Sequence, residues 1–106
     1  MLGAFFMYIA AMSKVSLFVT IEVQPGKVEA FLEKIREQIE IIRGEDGCQE
    51  IELFQNSNEL NQVHVWEVWR DRASWDLHMS NGASKAWQET AAQYTLGEKI
   101  TVLKSA

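Results

Sequence analysis

The chain has 106 residues and one cysteine, and carries a formal charge of −5. That length fits one domain with a single modest core. The acidic balance, with no Lys/Arg cluster, makes the chain a poor partner for a phosphate backbone and disfavours an anionic membrane surface, so neither nucleic acid nor membrane is expected as a partner.

The chain opens on "MLGAFFMYIAA", an apolar run too short to cross a bilayer and without the basic start of a secretory signal. Residues 1–11 are read as an upstream in-frame extension or a segment that packs on a partner subunit. "MSK" at Met12 then reads as a natural start, and residues 12–106 as one domain. The lone Cys48 cannot staple its own chain. The fold must rest on packing, which suits a reducing cytoplasm, and the thiol is expected to be inert and half-buried.

"VSLFVTIEVQ", Val15 to Gln24, alternates with period two: Val15, Leu17, Val19, Ile21 and Val23 share one face, and Phe18 lies on the other. Pro25-Gly26 ends this strand and opens a helix. From Lys27 to Arg43 the period becomes helical, with Val28, Phe31, Leu32, Ile35, Ile39 and Ile42 on one stripe and a charged, solvated opposite side. Gly44 is a helix stop.

Gly47 to Gln55 reads as a second strand, "NSNELN" as a turn, and Gln62 to Trp69 as a third strand rich in β-branched and aromatic residues. Asp71 is placed to cap a short helix, Arg72 to Met79, which Asn81-Gly82 breaks. Ala83, Ala86, Trp87, Ala91 and Tyr94 form another helical stripe, and Gly97 precedes a last strand, "EKITVLK". The order is the split βαβ pattern: an α+β, ferredoxin-like βαββαβ fold with an antiparallel sheet and helices on one face.

Parity divides the third strand. Val63, Val65, Glu67 and Trp69 share one face, and His64, Trp66 and Val68 the other. Phe18, His64 and Trp66 then form an apolar patch on the sheet face that no helix covers. A second copy, sheet against sheet, is the simplest cover, so a homodimer is expected.

The stretches "VTIEVQPGKVEAFLEKI", "RGEDGCQEIELFQN" and "VWEVWRDRASWDLHMS", in this order within Val15 to Leu103, resemble the antibiotic biosynthesis monooxygenase superfamily. The resemblance implies an intertwined dimeric α+β barrel with a pocket between sheet and helices in each subunit. It also implies oxidation of a small phenol or quinol by O₂ without a metal or organic cofactor. An electron-rich phenolate can reduce O₂ itself, so the protein has only to bind the ring, exclude water and take a proton. His78 matches the family's helix histidine and would be the base, with Glu67 as its orienting partner or proton relay. Trp69, two residues beyond Glu67, and Trp75 and Trp87 on the helices would contact substrate. Each has a plainer reading as packing or hydrogen-bonding side chain. The chain departs from the pattern at Ser80-Asn81-Gly82-Ala83, where many members carry a proline and a second histidine.

Rival classes are less well supplied. A metal centre lacks an H-x-H, an HExxH or a cysteine pair, and His64 and Glu67 point to opposite faces. Haem degradation lacks the strand-one asparagine of that branch. An RNA-stacking platform of Phe18, His64 and Trp66 lacks cations. A ligand-binding protein or isomerase on the same scaffold is the main alternative to a cofactor-independent monooxygenase.

Overall fold

The computed structural model describes residues 13–106. The expectations for residues 1–11 lie outside them. The elements are β1 (Val15–Val23), α1 (Val28–Arg43), β2 (Cys48–Gln55), β3 (Gln62–Trp69), α2 (Arg72–Ser80), α3 (Gly82–Ala92) and β4 (Thr95–Leu103). The sheet order is β2-β3-β1-β4, antiparallel throughout, which is the expected ferredoxin-like topology.

Alternation in β1 does what its pattern requires. Leu17, Val19, Ile21 and Val23 are buried on the helix side, joined by Ile51, Val63, Val65 and Trp69 of the neighbouring strands. The apolar stripe of α1 (Phe31, Leu32, Ile35, Ile39 and Ile42) closes over them. Phe31 and Trp69 are fully buried, and truncating side chains of that size in a core costs about 3–5 kcal/mol.

The second helical region is two helices. Asn81 has extended backbone, φ −74° and ψ 166°, and so ends α2; its side chain accepts from the Ser84 N–H and starts α3. Asp71 caps α2 in the same way, through the Ser74 N–H at 2.8 Å.

Two boundaries differ from expectation. β2 begins at Cys48, because Gly47 sits at φ +87° and cannot continue a strand. β4 begins at Thr95, not after Gly97: Gly97 pairs with Glu22 and Thr95 with Val23 across an irregularity in the ladder. Gly97 is thus accommodated inside the strand as a local bend.

The outer sheet face carries Phe18, His64 and Trp66, with Phe18 in register with Trp66 and Thr20 with His64. Phe18 and His64 stack at 4.8 Å, and the His64 ring nitrogens lie 3.2 Å from Thr20 Oγ1 and 3.1 Å from Gln62 Oε1. All three are half-buried. On the inner face, the helices leave β4 open: Ile100 and Val102, in register with Val19 and Leu17, stay 36% and 56% exposed.

Candidate active site

A cavity of about 390 Å³ lies between the inner face of the sheet and the three helices, within the usual range for a small-molecule site. Its walls are mostly apolar, among them Leu17 and Val19 of β1, Ile35 and Ile39 of α1, Trp75 of α2 and Trp87 of α3. The polar side chains on it are Glu67, His78, Ser84, Gln38, Gln88 and Glu98.

His78 is placed by the helical spacing of α2, which turns Ser74, Trp75 and His78 inward together. Its ring stacks on Trp69, centroids 4.7 Å apart. Its Nδ1 lies 3.1 Å from both carboxylate oxygens of Glu45. Glu45 Oε1 also accepts from Asn81 Nδ2 at 2.5 Å. Oriented by that amide donor, the carboxylate acts as acceptor, so the histidine proton is assigned to Nδ1. Nε2, with no hydrogen-bond partner among the described residues, is left as a free lone pair on a cavity-lining ring. Ser84 anchors the end of α2 by donating from Oγ to the His78 carbonyl oxygen at 2.5 Å.

The loop that carries Glu45 is itself fastened to the start of α2. The Arg70 guanidinium donates two hydrogen bonds to Asp46, at 3.1 and 3.0 Å, and one to Ser74 Oγ at 3.0 Å. The Arg70 N–H donates to the Gly47 carbonyl at 2.7 Å. The Arg70 guanidinium, hydrogen-bonded to the exposed Asp46, holds that carboxyl below its ordinary range.

Glu67 lies on the same side of β3 and is 7% exposed. Its Oε1 accepts from the Trp69 indole N–H at 2.9 Å. Burial pushes its carboxyl pKa up; the Trp69 hydrogen bond and nearby His78 oppose this, and Glu98 and Glu45 add to it. Glu98, at the rim on β4, is also raised by desolvation. Cys48 is half-buried, with its thiol raised first by burial and then by the charges of Glu67 and Glu45.

A carboxyl whose pKa is raised in the folded state binds its proton more tightly there than in the unfolded chain. Stability therefore falls as pH rises from the ordinary carboxyl range through the folded pKa. Glu67→Gln keeps an oxygen for the Trp69 N–H and removes the charge. It is expected to melt higher than wild type at pH 7–8, with the difference vanishing below about pH 4. Thermal melts across that range check this; a constant offset would mean that ionisation of Glu67 is not the cause.

The sequence-derived site residues separate into three groups. His78, Glu67, Trp75 and Trp87 line the cavity together. Trp69 does not: it is fully buried one layer back, with its ring under His78 and its N–H on Glu67. One face of the Trp69 indole is taken up by the stack that holds His78. Phe18, His64 and Trp66 lie on the opposite face of the sheet. The carboxylate in hydrogen-bond contact with His78 is Glu45, not Glu67.

Glu45, Asn81, Ser84, Gln38 and Glu98 were not singled out by the sequence. Glu45 follows a helix-stop glycine and precedes a turn, a position that reads as solvent-exposed loop. Asn81 reads as a breaker, although an Asn ahead of a helix is also a cap. Two donors by the cavity have no hydrogen-bond partner among the described residues, Trp75 Nε1 and Gln38 Nε2. Among the described residues, no three His, Cys, Asp or Glu side chains are placed to hold one metal ion, and no helix is long and apolar enough to cross a membrane.

Comparison with known proteins places the chain in a family. The family model described as antibiotic biosynthesis monooxygenase matches residues 15–90, from β1 to near the end of α3. The uncharacterized protein sll1783 of Synechocystis sp. is 38% identical over 58 residues, which are 55% of this chain and 40% of that protein. YcnE of Bacillus subtilis, provisionally named a monooxygenase, is 33% identical over 58 residues, 55% of this chain and 61% of YcnE. The alignments thus span only part of both relatives. The crystal structure of PA3566 from Pseudomonas aeruginosa superposes with a TM-score of 0.82 at 24% identity, over 91% of this chain and 97% of that one, and establishes the shared fold. With the family model matched over residues 15–90, the chain belongs to the antibiotic biosynthesis monooxygenase family.

Proposed function

We propose that this protein is a cofactor-independent monooxygenase that oxidises a small phenol or quinol with O₂. The observation that carries the reading is the Glu45–His78 pair on an apolar cavity: Nδ1 is engaged and Nε2 is free. A histidine held in that tautomer presents an unprotonated ring nitrogen that can take a proton from a bound ligand. Nε2 takes the hydroxyl proton of the bound ring, and Glu45 stabilises the imidazolium that results. The phenolate then supplies all four electrons that O₂ requires. One oxygen atom forms a new C–O bond on the ring and the other leaves as water, so a phenol gives a quinone and a quinol gives a hydroxyquinone. The apolar walls exclude bulk water from this exchange. Glu67, across the cavity surface with its carboxyl raised, is a second proton site, and Trp75 and Trp87 bound the ring.

The test is oxygen consumption with a panel of phenols and hydroquinones. Uptake with formation of the quinone or hydroxyquinone supports the reading. Binding without uptake assigns the chain to a ligand-binding or isomerase role on the same scaffold.

The active form is proposed to be a homodimer in the cytoplasm. Phe18, His64 and Trp66 form the candidate interface on the outer sheet face, and an unpaired cysteine suits a reducing compartment. Light scattering is expected to give twice the chain mass. A monomer at micromolar concentration would contradict the dimer.

A further inference from the structure

We infer that the cavity accepts uncharged ring compounds and rejects those that carry a carboxylate or another anionic group. The inference names the substrate class of the site proposed above and rests on the ring-binding part of that reading, not on the oxidation.

The charge inventory of the cavity carries it. Among the described residues, three titratable side chains line it: Glu67 from β3, Glu98 from β4 and His78 from α2. None of the ten Lys and Arg residues does. All ten fall between positions 14 and 104, so residues 1–12 add no basic side chain. The cations nearby are committed elsewhere. Arg72 lies over the Trp75 ring at 4.7 Å but pairs with Asp76 at 2.9 Å. Arg36 and Arg43 line a separate groove at the edge of β2. Lys99 is in register with Thr20, on the outer face. The one lining group that can become positive is His78, and Glu45 already sits on it at 3.1 Å. A carboxylate in the cavity would thus lose its water, find no free cation and face two carboxyls.

The protein's own carboxyls report the same preference. Glu67 and Glu98 are both pushed toward the neutral form, first by desolvation. A site that disfavours charge on its own carboxyls disfavours it on a ligand. What the site offers is hydrogen bonding to neutral oxygens. Trp75, nine-tenths buried and lining the cavity, has an indole N–H without a partner among the described residues, and so does the amide of the half-buried, cavity-lining Gln38. Phenol and quinone oxygens suit such donors, and Nε2 of His78 suits a hydroxyl.

The experiment is calorimetric titration at pH 7.5 with 2-naphthol, 6-hydroxy-2-naphthoate and the methyl ester of the latter. The ester has the bulk of the acid without its charge. The acid is expected to bind at least about tenfold more weakly than naphthol, with the ester close to naphthol, because a carboxylate taken out of water without a partner cation loses its hydration uncompensated. Glu98→Lys places a cation at the exposed rim and is expected to close or reverse that gap. Equal affinities for acid and naphthol overturn the inference. So does an ester as weak as the acid, which would make the rejection steric, or a gap that Glu98→Lys leaves unchanged. If none of the three compounds binds, both this inference and the proposed function fall. Charge-selective binding without oxygen uptake removes the oxygenase reading alone.

Discussion

His78→Ala is expected to lower kcat/KM for quinol oxidation by about 10² to 10⁴, the usual contribution of a positioned acid–base group. The expectation follows from geometry. Nε2 is the free nitrogen of a cavity-lining ring, and two contacts hold that ring: Trp69 beneath it at 4.7 Å and Glu45 on Nδ1 at 3.1 Å. Glu45→Ala should lose nearly as much, since Glu45 is the charged acceptor on Nδ1 at 3.1 Å and the other contact there, Ser84 Oγ, is longer at 3.4 Å. Residues that act as one unit are not additive, so His78→Ala/Glu45→Ala should be little worse than His78→Ala alone. Initial rates of oxygen uptake provide the measurement, with circular dichroism to show that each variant is folded. Unchanged uptake in His78→Ala removes the proposed base. A double variant far worse than either single would mean that Glu45 acts independently of the histidine.

The largest expected loss of stability from a single small substitution is at Gly47. Its φ of +87° lies in the region that favours glycine, and a Cβ there would meet both Cβ and Oγ of Ser74 at 2.3 Å. Both atoms belong to the first turn of α2, which Asp71 and Arg70 hold in place. Relief therefore requires moving the helix or the loop. Gly47→Ala is expected to cost about 2–4 kcal/mol, the backbone penalty together with overpacking. Gly26 is the internal control. Its φ is +82°, yet a Cβ there meets nothing within 4 Å. Gly26→Ala should show the backbone part alone, about 1 kcal/mol. Urea unfolding of the two variants measures the difference. Equal losses would mean that the Ser74 contact costs nothing. Gly47 separates Glu45 and Asp46 from β2, so Gly47→Ala should also displace the carboxylate from His78 and reduce oxygen uptake.

These two expectations draw on different amounts of sequence information. His78 was recognisable from its helical spacing with Ser74 and Trp75 and from the likeness around "VWEVWRDRASWDLHMS". Its partner was not. Glu45 and His78 are 33 residues apart, and no local period links a loop residue before β2 to one on α2. Glu67 shares a strand face with Trp69 and so looked like the natural partner. Parity put it correctly on the inner face, but the indole N–H at 2.9 Å is what its oxygen meets. Trp69 shows the same limit. Its burial was legible from alternation, but not whether its ring faces the cavity or supports the residue that does. Glu98 was not recognised because Gly97 suggested a strand just beginning. The ladder in fact runs through it from Thr95 and sets Glu98 in register with Ile21, at the cavity rim.

The sequence by itself determined the strand faces, the apolar stripe of α1, the cap at Asp71, the break at Asn81-Gly82, and hence the ferredoxin-like order. Each of these is a consequence of periods of 2 and 3.6 residues or of a single backbone preference, and each is written within a few neighbouring positions. Only the tertiary structure decided that the inner face and the helices leave about 390 Å³ unfilled. Only it decided that Glu45 meets His78, and that no lysine or arginine reaches the space between. An unfilled volume and a contact between distant residues depend on how whole elements are set against one another. No stretch of the chain encodes that alone, because side-chain volumes summed along a strand or helix do not say where two packed surfaces fail to meet.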